Sequence, residues 1–201
     1  MSRDKTDLPV LGARFEEALQ YAARLHARQR RKGTPVPYIS HLMSVAALVL
    51  EDGGDEDEAI AALLHDAVED QGGRRTREEI RRRFGERVAT IVDGCTDSVE
   101  HAKVPWRTRK EEHIESLKRA PREVLRVSAA DKLHNARALL QDLRSQGDAT
   151  WKRFKGGREG TLWYYGALSG LLSASGDGPM QRELARVVDE IHCLAGDEEG
   201  R

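Results

Sequence analysis

Apolar residues recur at steps of three and four along most of this chain, which is the pattern of amphipathic α-helices. Near the N-terminus the apolar stripe includes Phe15, Ala18, Leu19 and Ala22. The spacing predicts a first helix over residues 12–30, and the glycine and prolines of the segment that follows should end it.

Eight further segments have the same periodicity, and most are bounded by residues that favour helix ends. They are residues 40–53, 55–70, 76–84, 87–93, 107–119, 123–143, 161–174 and 179–194. Ser40 and Thr76 are predicted as N-terminal caps, and the acidic run 55–57 as a favourable helix start. No stretch alternates with a period of two. The sequence therefore predicts an all-α fold of about eight to ten helices.

The segments between these helices define the expected domain organisation. Residues 1–11 are expected to form a flexible N-terminus, and residues 196–201 a flexible tail. Residues 94–105 lose the periodicity and are expected to form a loop that borders a pocket. A length of 201 residues suits one full-sized core. We therefore predict a single domain over residues 12–195, with the helices of residues 161–194 packed onto the rest.

Composition narrows the class of protein. Apolar residues make up 39% of the chain and charged residues 33%, with a net charge of −1, so we expect a soluble globular protein rather than a general nucleic-acid binder. No apolar run approaches the roughly 20 residues that span a bilayer. Cys95 and Cys193 show no metal-binding or disulfide pattern, which favours a cytoplasmic location. We expect neither nucleic acid nor membrane as a partner, and the oligomeric state is left open.

Positive charge is concentrated in three clusters, at residues 28–32, 74–83 and 107–110. Such clusters suit a compact anionic ligand. The third cluster has a second interpretation, because Glu111 and Glu112 follow it and could balance it on a solvated helix face.

The strongest chemical signal is the run from residue 62 to residue 70, where an apolar helical segment ends in ionisable residues. His65 and Asp66 come first, and Glu69 and Asp70 repeat acidic chemistry one turn later. On a continuous helix Glu69 would lie above His65, and Asp70 above Asp66. A buried carboxylate without a partner is costly, so this arrangement requires a cation or a set of hydrogen-bond donors.

Four residues flanked by core-type neighbours are candidate metal ligands. They are His41, His65, Asp66 and Asp131. A mixed set of imidazole and carboxylate groups suits a divalent ion such as Mn²⁺, Fe²⁺ or Zn²⁺, and it differs from a closed structural zinc site. Structural alternatives stay open, because His41 could be a hydrogen-bonded core histidine and Asp131 could pair with Lys132 or Arg137.

The order His, His-Asp, Asp resembles that of the HD metal-dependent phosphohydrolase superfamily. Five segments resemble one branch more closely, the hydrolase domain of RelA/SpoT proteins. They are residues 31–34, 37–41, 64–70, 94–97 and 130–137. The resemblance covers residues 15–145, and the motifs are specific as a set though not singly.

The resemblance implies a single-domain HD-type helical fold and a reaction. In that family the four HD ligands hold one Mn²⁺ ion, and the domain removes pyrophosphate from the 3′ position of guanosine tetra- and pentaphosphate. We therefore expect Mn²⁺ here, with Fe²⁺, Zn²⁺ or Co²⁺ as alternatives. A chain of 201 residues leaves no room for a synthetase or regulatory region, so it resembles the stand-alone small alarmone hydrolases, which include metazoan SpoT homologues.

The resemblance also implies roles for residues around the metal. Glu69 and Asp70 match a Glu-Asp pair that positions or deprotonates the attacking water. Asn135 would hydrogen-bond the nucleotide, and Arg31 and Lys32 match a basic pair at the nucleotide pocket. Further positive charge for the phosphates is expected from Arg109 and Lys110, with Arg107 and Lys103 as candidates to join them.

Three departures from the family pattern concern the substrate. Thr34 follows Gly33 instead of coming directly after the basic pair, and Lys132 stands where the long proteins usually have arginine. The aromatic run 163–165 matches nothing in the long RelA/SpoT proteins. It could stack on a base, although packing between helices is the favoured interpretation.

Two other functions stay open at this stage. The same metal chemistry could act on another phosphorylated nucleotide, such as NADPH or a nucleoside monophosphate. The chain could also be a non-catalytic nucleotide-binding regulatory protein. The intact HD ligands and the intact pair Glu69 and Asp70 count against this last reading.

Overall fold

The computed structural model describes residues 10–96 and 104–196. Within those ranges there are ten α-helices and one 3₁₀ helix, and the only β-structure is an isolated bridge between Arg30 and Pro37. The α-helices are α1 Ala13–Leu25, α2 Ile39–Glu51, α3 Glu56–Leu64, α4 Ala67–Asp70, α5 Gly73–Phe84, α6 Glu86–Cys95, α7 Trp106–Leu117, α8 Arg122–Gln146, α9 Gly157–Ala174 and α10 Pro179–Gly196, and the 3₁₀ helix is Gly147–Arg153. The predicted all-α fold is therefore confirmed.

The centre of the fold is α3, which is apolar on nearly all sides. The six apolar residues from Ala59 to Leu64 are each at most 1% exposed. The helix contacts α1, α2, α6 and α8. A helix that is apolar all round is a buried one. The residues that directly follow its C-terminal end are therefore held inside the protein.

The longest helix, α8, packs against this centre. It contacts α2, α3 and α6, and it also contacts α9 and α10, so it links the two halves of the chain. The buried apolar residues from Ala18 to Ala195 belong to one continuous cluster. None of the helices in the described ranges has both the length and the apolarity needed to cross a membrane.

The predicted helix over residues 55–70 is wrong in one respect, because it is broken at His65 and Asp66. Asp66 has φ −95° and ψ −3°, away from regular α-helical values, and α4 begins directly after it. A hydrogen bond from Tyr38, which lies outside the helix, holds its carboxylate, as described below. Asp70 keeps one helix-like contact, an N–H that donates to the Asp66 carbonyl at 2.9 Å. The expected stacking on one continuous helix therefore does not occur.

Helix starts also differ from the prediction. Asp55 caps α3 through a reciprocal pair of hydrogen bonds with Glu58. Ser40 and Thr76 were predicted as caps, but both lie inside helices and donate to preceding carbonyls, Ser40 to Pro37 and Thr76 to Gln71. Their hydroxyls therefore stabilise the turn that precedes each helix. They do not accept hydrogen bonds from the free N–H groups of the helix start, as a cap would.

The first helix ends at Leu25, five residues before the predicted end at Arg30. The chain then folds back, because the Arg31 N–H donates to the Val36 carbonyl at 2.9 Å and the Tyr38 N–H donates to the Gln29 carbonyl at 3.0 Å. These bonds replace helical ones. Residues 29–38 therefore form a hairpin-like segment, called here the 29–38 loop.

Some predictions fall outside the described residues. Lys103 and Asp97 belong to residues 97–103, and the predicted flexible ends fall mostly on residues 1–9 and 197–201. Of the predicted loop over residues 94–105, the first two residues, Gly94 and Cys95, are the end of α6.

Arg126 on α8 is a buried cation with two acidic partners. Its Nη1 lies 2.5 Å from Glu58 Oε1, and its Nε lies 3.0 Å from Asp52 Oδ2. Arg126 is 7% exposed and Glu58 is 4% exposed. The cluster joins α8 to the start of α3 and the end of α2. Removing the arginine would leave a buried carboxylate uncompensated.

Arg126→Ala is therefore expected to lower the free energy of unfolding by about 3–5 kcal/mol, the usual cost of breaking a buried ion pair. Urea unfolding followed by circular dichroism measures the change. Arg137→Ala is the matched control on the same helix, because Arg137 pairs with Glu183 at the surface. Its expected effect is below about 1 kcal/mol. Equal effects of the two substitutions would contradict a role for burial.

Candidate functional site

Three helices bring the predicted ligand residues to one point. His41 lies in the first turn of α2, His65 and Asp66 follow α3, and Asp131 lies within α8. His41 Nε2 is 3.2 Å from Asp131 Oδ1 and 3.6 Å from Asp66 Oδ2. His65 Nε2 is 2.9 Å from Asp66 Oδ2 and 3.6 Å from Asp131 Oδ1. The four side chains therefore face one small volume, called here the metal centre.

The two imidazoles supply the clearest sign of a missing partner. His41 is 0% exposed and His65 is 2% exposed. The Nε2 atoms of both are buried and have no partner in hydrogen-bonding geometry among the described residues. Three atoms that could bind a metal, one ring nitrogen of each histidine and one carboxylate oxygen of Asp66, all lie within 4.8 Å of one another. One metal ion would satisfy all of these atoms together, so the residues fit a divalent ion.

The opposite ring nitrogens fix the imidazoles in the form that a metal needs. His65 Nδ1 donates to the Ala62 carbonyl at 2.8 Å, which leaves the Nε2 lone pair directed at the centre. His41 Nδ1 lies 2.8 Å from His134 Nδ1. Burial, helped by the neighbouring His41 and Arg31, lowers the pKa of His134 to about 4, so its ring is neutral. A neutral ring can accept the proton of His41 Nδ1, which is the arrangement that a metal bound at His41 Nε2 would require.

Electrostatics also favour a cation at this point. Burial opposes a charge on His65, yet the carboxylates of Asp66 and Asp131 hold its pKa well above the usual range. Burial opposes ionisation of Asp66 too, but the two imidazoles hold its pKa far below the usual value. Burial also opposes ionisation of Asp131, but its pKa is held well below the usual value, most strongly by the positive charge of Lys132 and then by the two imidazoles. The centre therefore keeps two negative charges, and a divalent ion would compete with a proton for His65.

Neighbouring side chains orient the two carboxylates. The Tyr38 hydroxyl donates to Asp66 Oδ2 at 2.6 Å. Lys132 Nζ donates to Asp131 Oδ2 at 2.7 Å, and Asn135 Nδ2 donates to Asp131 Oδ1 at 2.5 Å. Asp131 thus pairs with Lys132, which was the structural alternative considered from the sequence. This pairing uses Oδ2, and Oδ1 still faces the two imidazoles. Such outer partners commonly tune metal affinity.

Asp70 lies beside the centre, in an orientation fixed by a distant part of the chain. Its Oδ2 accepts a hydrogen bond from Gln29 Nε2 at 2.7 Å. Although the residue is exposed overall, partial burial of its carboxyl and the nearby charge of Asp66 raise its pKa, against the effect of Gln29. Glu69 precedes it on α4 and is exposed. A carboxylate with a raised pKa next to a cation site is suited to act as a general base.

A cleft of about 590 Å³ opens next to the metal centre. Tyr38, Lys132, His134 and Asn135 line it, and each contacts one of the four ligand candidates. The wall of the cleft nearest the metal centre therefore consists of residues that contact the candidate metal ligands directly. The volume lies within the range of small-molecule sites.

The cleft is strongly basic. Its lining contains five cationic side chains and one acidic side chain, Asp142, whose carboxylate pairs with Arg153. The cationic residues are Arg31, Lys32, Lys110, Lys132 and Arg153. Arg31 Nη2 donates to Asn135 Oδ1 at 2.7 Å, which connects the 29–38 loop to α8. A ligand with several negative charges would be stabilised here.

The predicted pair Arg109 and Lys110 is divided between two places. Lys110 lines the cleft, with Nζ 4.8 Å from the centre of the Tyr164 ring. Arg109 lines a separate cavity of about 420 Å³ formed by α6, α7 and the start of α8. Successive residues on a helix point about 100° apart, and here that angle directs the two side chains into different cavities. Arg107 is exposed and pairs with Glu111, as the solvated-face interpretation predicted.

The aromatic run of α9 both packs and lines the cleft. Tyr164 and Tyr165 are 7% and 8% exposed, and both are part of the apolar core and of the cleft wall. Trp163 is half-buried. Its ring lies under the guanidinium group of Arg107, whose Cζ is 3.1 Å from the ring centre. The favoured packing role therefore agrees with the burial of the two tyrosines.

Gly33 allows the 29–38 loop to lie close to the cleft wall. Its φ of +75° is in the left-handed region, and a Cβ there would lie 2.8 Å from Arg153 Cδ. Thr34 stabilises the same turn, because its hydroxyl donates to the Arg31 carbonyl and accepts from the Val36 N–H. Thr34 thus has a clear structural role in shaping the loop that carries Arg31.

Several side chains in the site were not predicted from the sequence. Tyr38 and His134 lay inside the matched segments, so the motif itself carried a signal for them. Gln29 is an uncharged residue within the basic cluster of residues 28–32, and Arg153 lies outside every matched segment, so only their contacts identify them.

A protein-family model described as HD domain matches residues 18–162 of this chain. The matched range contains the metal centre, Asp70 and Asn135, and it ends within α9.

Named relatives carry two different enzyme names. The guanosine-3′,5′-bis(diphosphate) 3′-pyrophosphohydrolase of Aquifex aeolicus is 37% identical over 134 residues, which are 65% of this chain and 18% of that protein. The enzyme of the same name from Xenopus tropicalis, MESH1, is 40% identical over 126 residues, which are 61% of this chain and 68% of that protein. A protein of Streptomyces coelicolor named GTP pyrophosphokinase is 37% identical over 127 residues, 62% of this chain and 14% of that protein. The chain thus spans under a fifth of the long bacterial relatives.

Two solved structures share the fold. A metazoan ortholog of SpoT, described as hydrolysing ppGpp, superposes with a TM-score of 0.72 at 29% identity, covering 93% of this chain and 98% of that one. The protein lmo0812 of Listeria monocytogenes has a TM-score of 0.66 at 32% identity, covering 75% and 97% respectively. The first coverage shows that the likeness extends beyond the segment matched in sequence.

Proposed function

This chain belongs to the HD-domain family, and from that premise we propose that it hydrolyses the 3′-pyrophosphate of guanosine tetra- and pentaphosphate in a metal-dependent reaction. The observation that carries the proposal is the buried centre of two imidazoles and two carboxylates that adjoins a cleft lined by five cations. Relatives and a structural neighbour with this activity support it. The domain would comprise residues 12–195.

The proposed metal ligands are His41, His65, Asp66 and Asp131, and the proposed ion is Mn²⁺. A mixed nitrogen and oxygen set also accepts Fe²⁺, Zn²⁺ or Co²⁺. When bound, a divalent ion supplies Lewis acidity, which makes water more acidic and offsets the charge of phosphoryl oxygens. The orphaned Nε2 atoms of the two histidines are the support for this assignment.

In the proposed reaction Asp70 accepts the proton of the attacking water, with Glu69 as its partner. Gln29 occupies Oδ2 of Asp70, and no contact within the described part of the chain occupies Oδ1, so Oδ1 is the atom assigned to the proton. The raised pKa of this carboxyl makes it a stronger base than a fully solvated aspartate. The water oxygen bonds to the phosphorus attached to the 3′ oxygen, and the bond between that phosphorus and the 3′ oxygen breaks. The 3′ oxygen is the leaving group and takes up a proton, which balances the one given to Asp70, and the attacked phosphorus departs as part of pyrophosphate.

The substrate's negative charge would be met from two sides of the cleft. Arg31 and Lys32 approach from the 29–38 loop, and Lys110 and Lys132 from α7 and α8. Asn135, held by Arg31, is proposed to hydrogen-bond the nucleotide. Arg109 is left out of the substrate site because it lines the other cavity.

A substrate panel tests the proposal. Phosphate and pyrophosphate release are measured with guanosine tetraphosphate, NADPH, nucleoside monophosphates and GTP, after removal of divalent ions and after addition of Mn²⁺. We expect Mn²⁺-dependent pyrophosphate release from guanosine tetraphosphate and little from the rest. Release of phosphate from another nucleotide would assign the same centre to a different substrate. Metal binding with no release from any compound would contradict hydrolysis and favour a nucleotide-binding protein.

A further inference from the structure

The side-chain amide of Gln29 has hydrogen-bond partners at both its oxygen and its nitrogen. Its Oε1 lies 2.6 Å from Gln71 Nε2, which donates to it, and 2.7 Å from His26 Nδ1. Its Nε2 donates to Asp70 Oδ2 at 2.7 Å. The contacts with Asp70 and Gln71 connect the 29–38 loop to the end of α4, and the contact with His26 connects it to the end of α1.

Only one orientation of this amide satisfies its neighbours. Rotating it by 180° would place its carbonyl oxygen against the Asp70 carboxylate, where two acceptors repel, and its NH₂ group against the Gln71 donor. His26 is 2% exposed, and burial lowers its pKa. Because an amide oxygen can only accept, His26 Nδ1 donates to Gln29 Oε1 in this orientation. The neighbours therefore keep the Gln29 N–H directed at Asp70.

The same stretch of chain also holds the metal centre. The Gln29 carbonyl accepts the Tyr38 N–H at 3.0 Å, and the His26 ring stacks on the Tyr38 ring with centroids 5.3 Å apart. Tyr38 in turn donates to Asp66. One segment thus contacts both Asp66, at the helix break, and Asp70, at the end of α4.

We propose that Gln29 is a positioning residue that holds the Asp70 carboxylate beside the metal centre, with Oδ2 bonded to the amide and Oδ1 directed to the attacking water. The inference rests on the proposed function, because it concerns the group assigned as the base. His26 and Gln71 act one step further out by fixing the amide. Within this network Tyr38 serves the metal ligand and Gln29 serves the base.

Gln29→Leu tests the assignment, because leucine keeps much of the side-chain volume and removes the amide. We expect kcat for guanosine tetraphosphate to fall roughly 10- to 100-fold, as is typical when an outer partner is lost. KM and Mn²⁺ affinity should change less than about two-fold, because neither the cleft nor the four ligands lose a contact. Tyr38→Phe should show the opposite pattern, with weaker Mn²⁺ binding. A residue that only stabilises the fold would not separate these quantities.

Gln20→Leu is the matched control, because Gln20 is exposed on α1 and its side chain accepts a hydrogen bond from Arg24 on the same helix. It should leave all three quantities unchanged. Crystal structures of the wild type and Gln29→Leu give a readout that needs no activity. A displaced Asp70 carboxylate in the variant supports the inference, and an Asp70 that keeps its position overturns it. An inactive wild type would overturn the proposed function alone, and the crystal structures would still decide the role of Gln29.

Discussion

Asp131→Ala is expected to abolish hydrolysis and to remove the bound divalent ion, while the protein stays folded. Asp131 is 7% exposed, and its Oδ1 faces both imidazoles. Alanine would leave His41 and His65 without this oxygen and would free the Lys132 ammonium to repel a cation. We expect a loss above about 10³-fold in kcat/KM, beyond the 10- to 100-fold effect of an outer partner.

The measurements are metal content after dialysis, hydrolysis rate and far-ultraviolet circular dichroism. Asp189→Ala is the control, because Asp189 is an exposed aspartate on α10, away from the centre. It should retain wild-type metal content and rate. Asp66→Ala should repeat the effect of Asp131→Ala from a different helix. A metal-free but fully active Asp131→Ala protein would remove the centre from the mechanism.

Asp70→Asn is expected to keep the metal but to lower kcat by about 10²–10⁴-fold, the usual contribution of a general base. The amide has nearly the same shape as the carboxyl but cannot accept a proton from water. Because Asp70 belongs to α4 and not to the ligand set, the Mn²⁺ affinity should stay near the wild-type value. Steady-state kinetics and metal titration on the same sample measure the two quantities.

Glu69→Gln, made alone and together with Asp70→Asn, shows which of the two carboxylates accepts the proton from water. If Asp70 is the base, Glu69→Gln alone should have the smaller effect on kcat. A larger effect of Glu69→Gln would transfer the role to Glu69. Wild-type turnover in the double variant would exclude the pair from proton transfer altogether.

Much of the fold followed from the sequence because helical periodicity is a property of neighbouring residues. The apolar stripe of α1 that includes Ala18 and Ala22 was visible without any tertiary information, and both residues are 0% exposed. The family resemblance was likewise carried by short segments around His41, His65 and Asp131, and the family match confirms it.

Other features depend on contacts between distant residues, which periodicity does not record. The break after His65 arises where Asp66 is held by Tyr38 from another segment. Ser40 looked like a cap from its position, but its hydroxyl is used by the Pro37 carbonyl. Gln29 contacts Asp70 across 41 positions of sequence, so no local pattern marks it.

The division of Arg109 from Lys110 has a similar origin. A run of basic residues indicates positive charge on a helix, but only the packing of that helix decides which side chains enter a given cleft. Tyr164 fixes this for Lys110, because its ring lies under the ammonium group.

The metal centre joins the consecutive helices α2 and α3 to α8, which packs against both of them but lies far along the sequence. An ion bound there would act as a cross-link that exists only in the folded chain. At a free concentration about 100 times its Kd, such an ion adds about 2.7 kcal/mol to the stability of the folded state. A shortage of the ion in the cell would therefore lower the proposed activity in two ways. Some sites would be empty, and the less stable metal-free protein would be degraded faster.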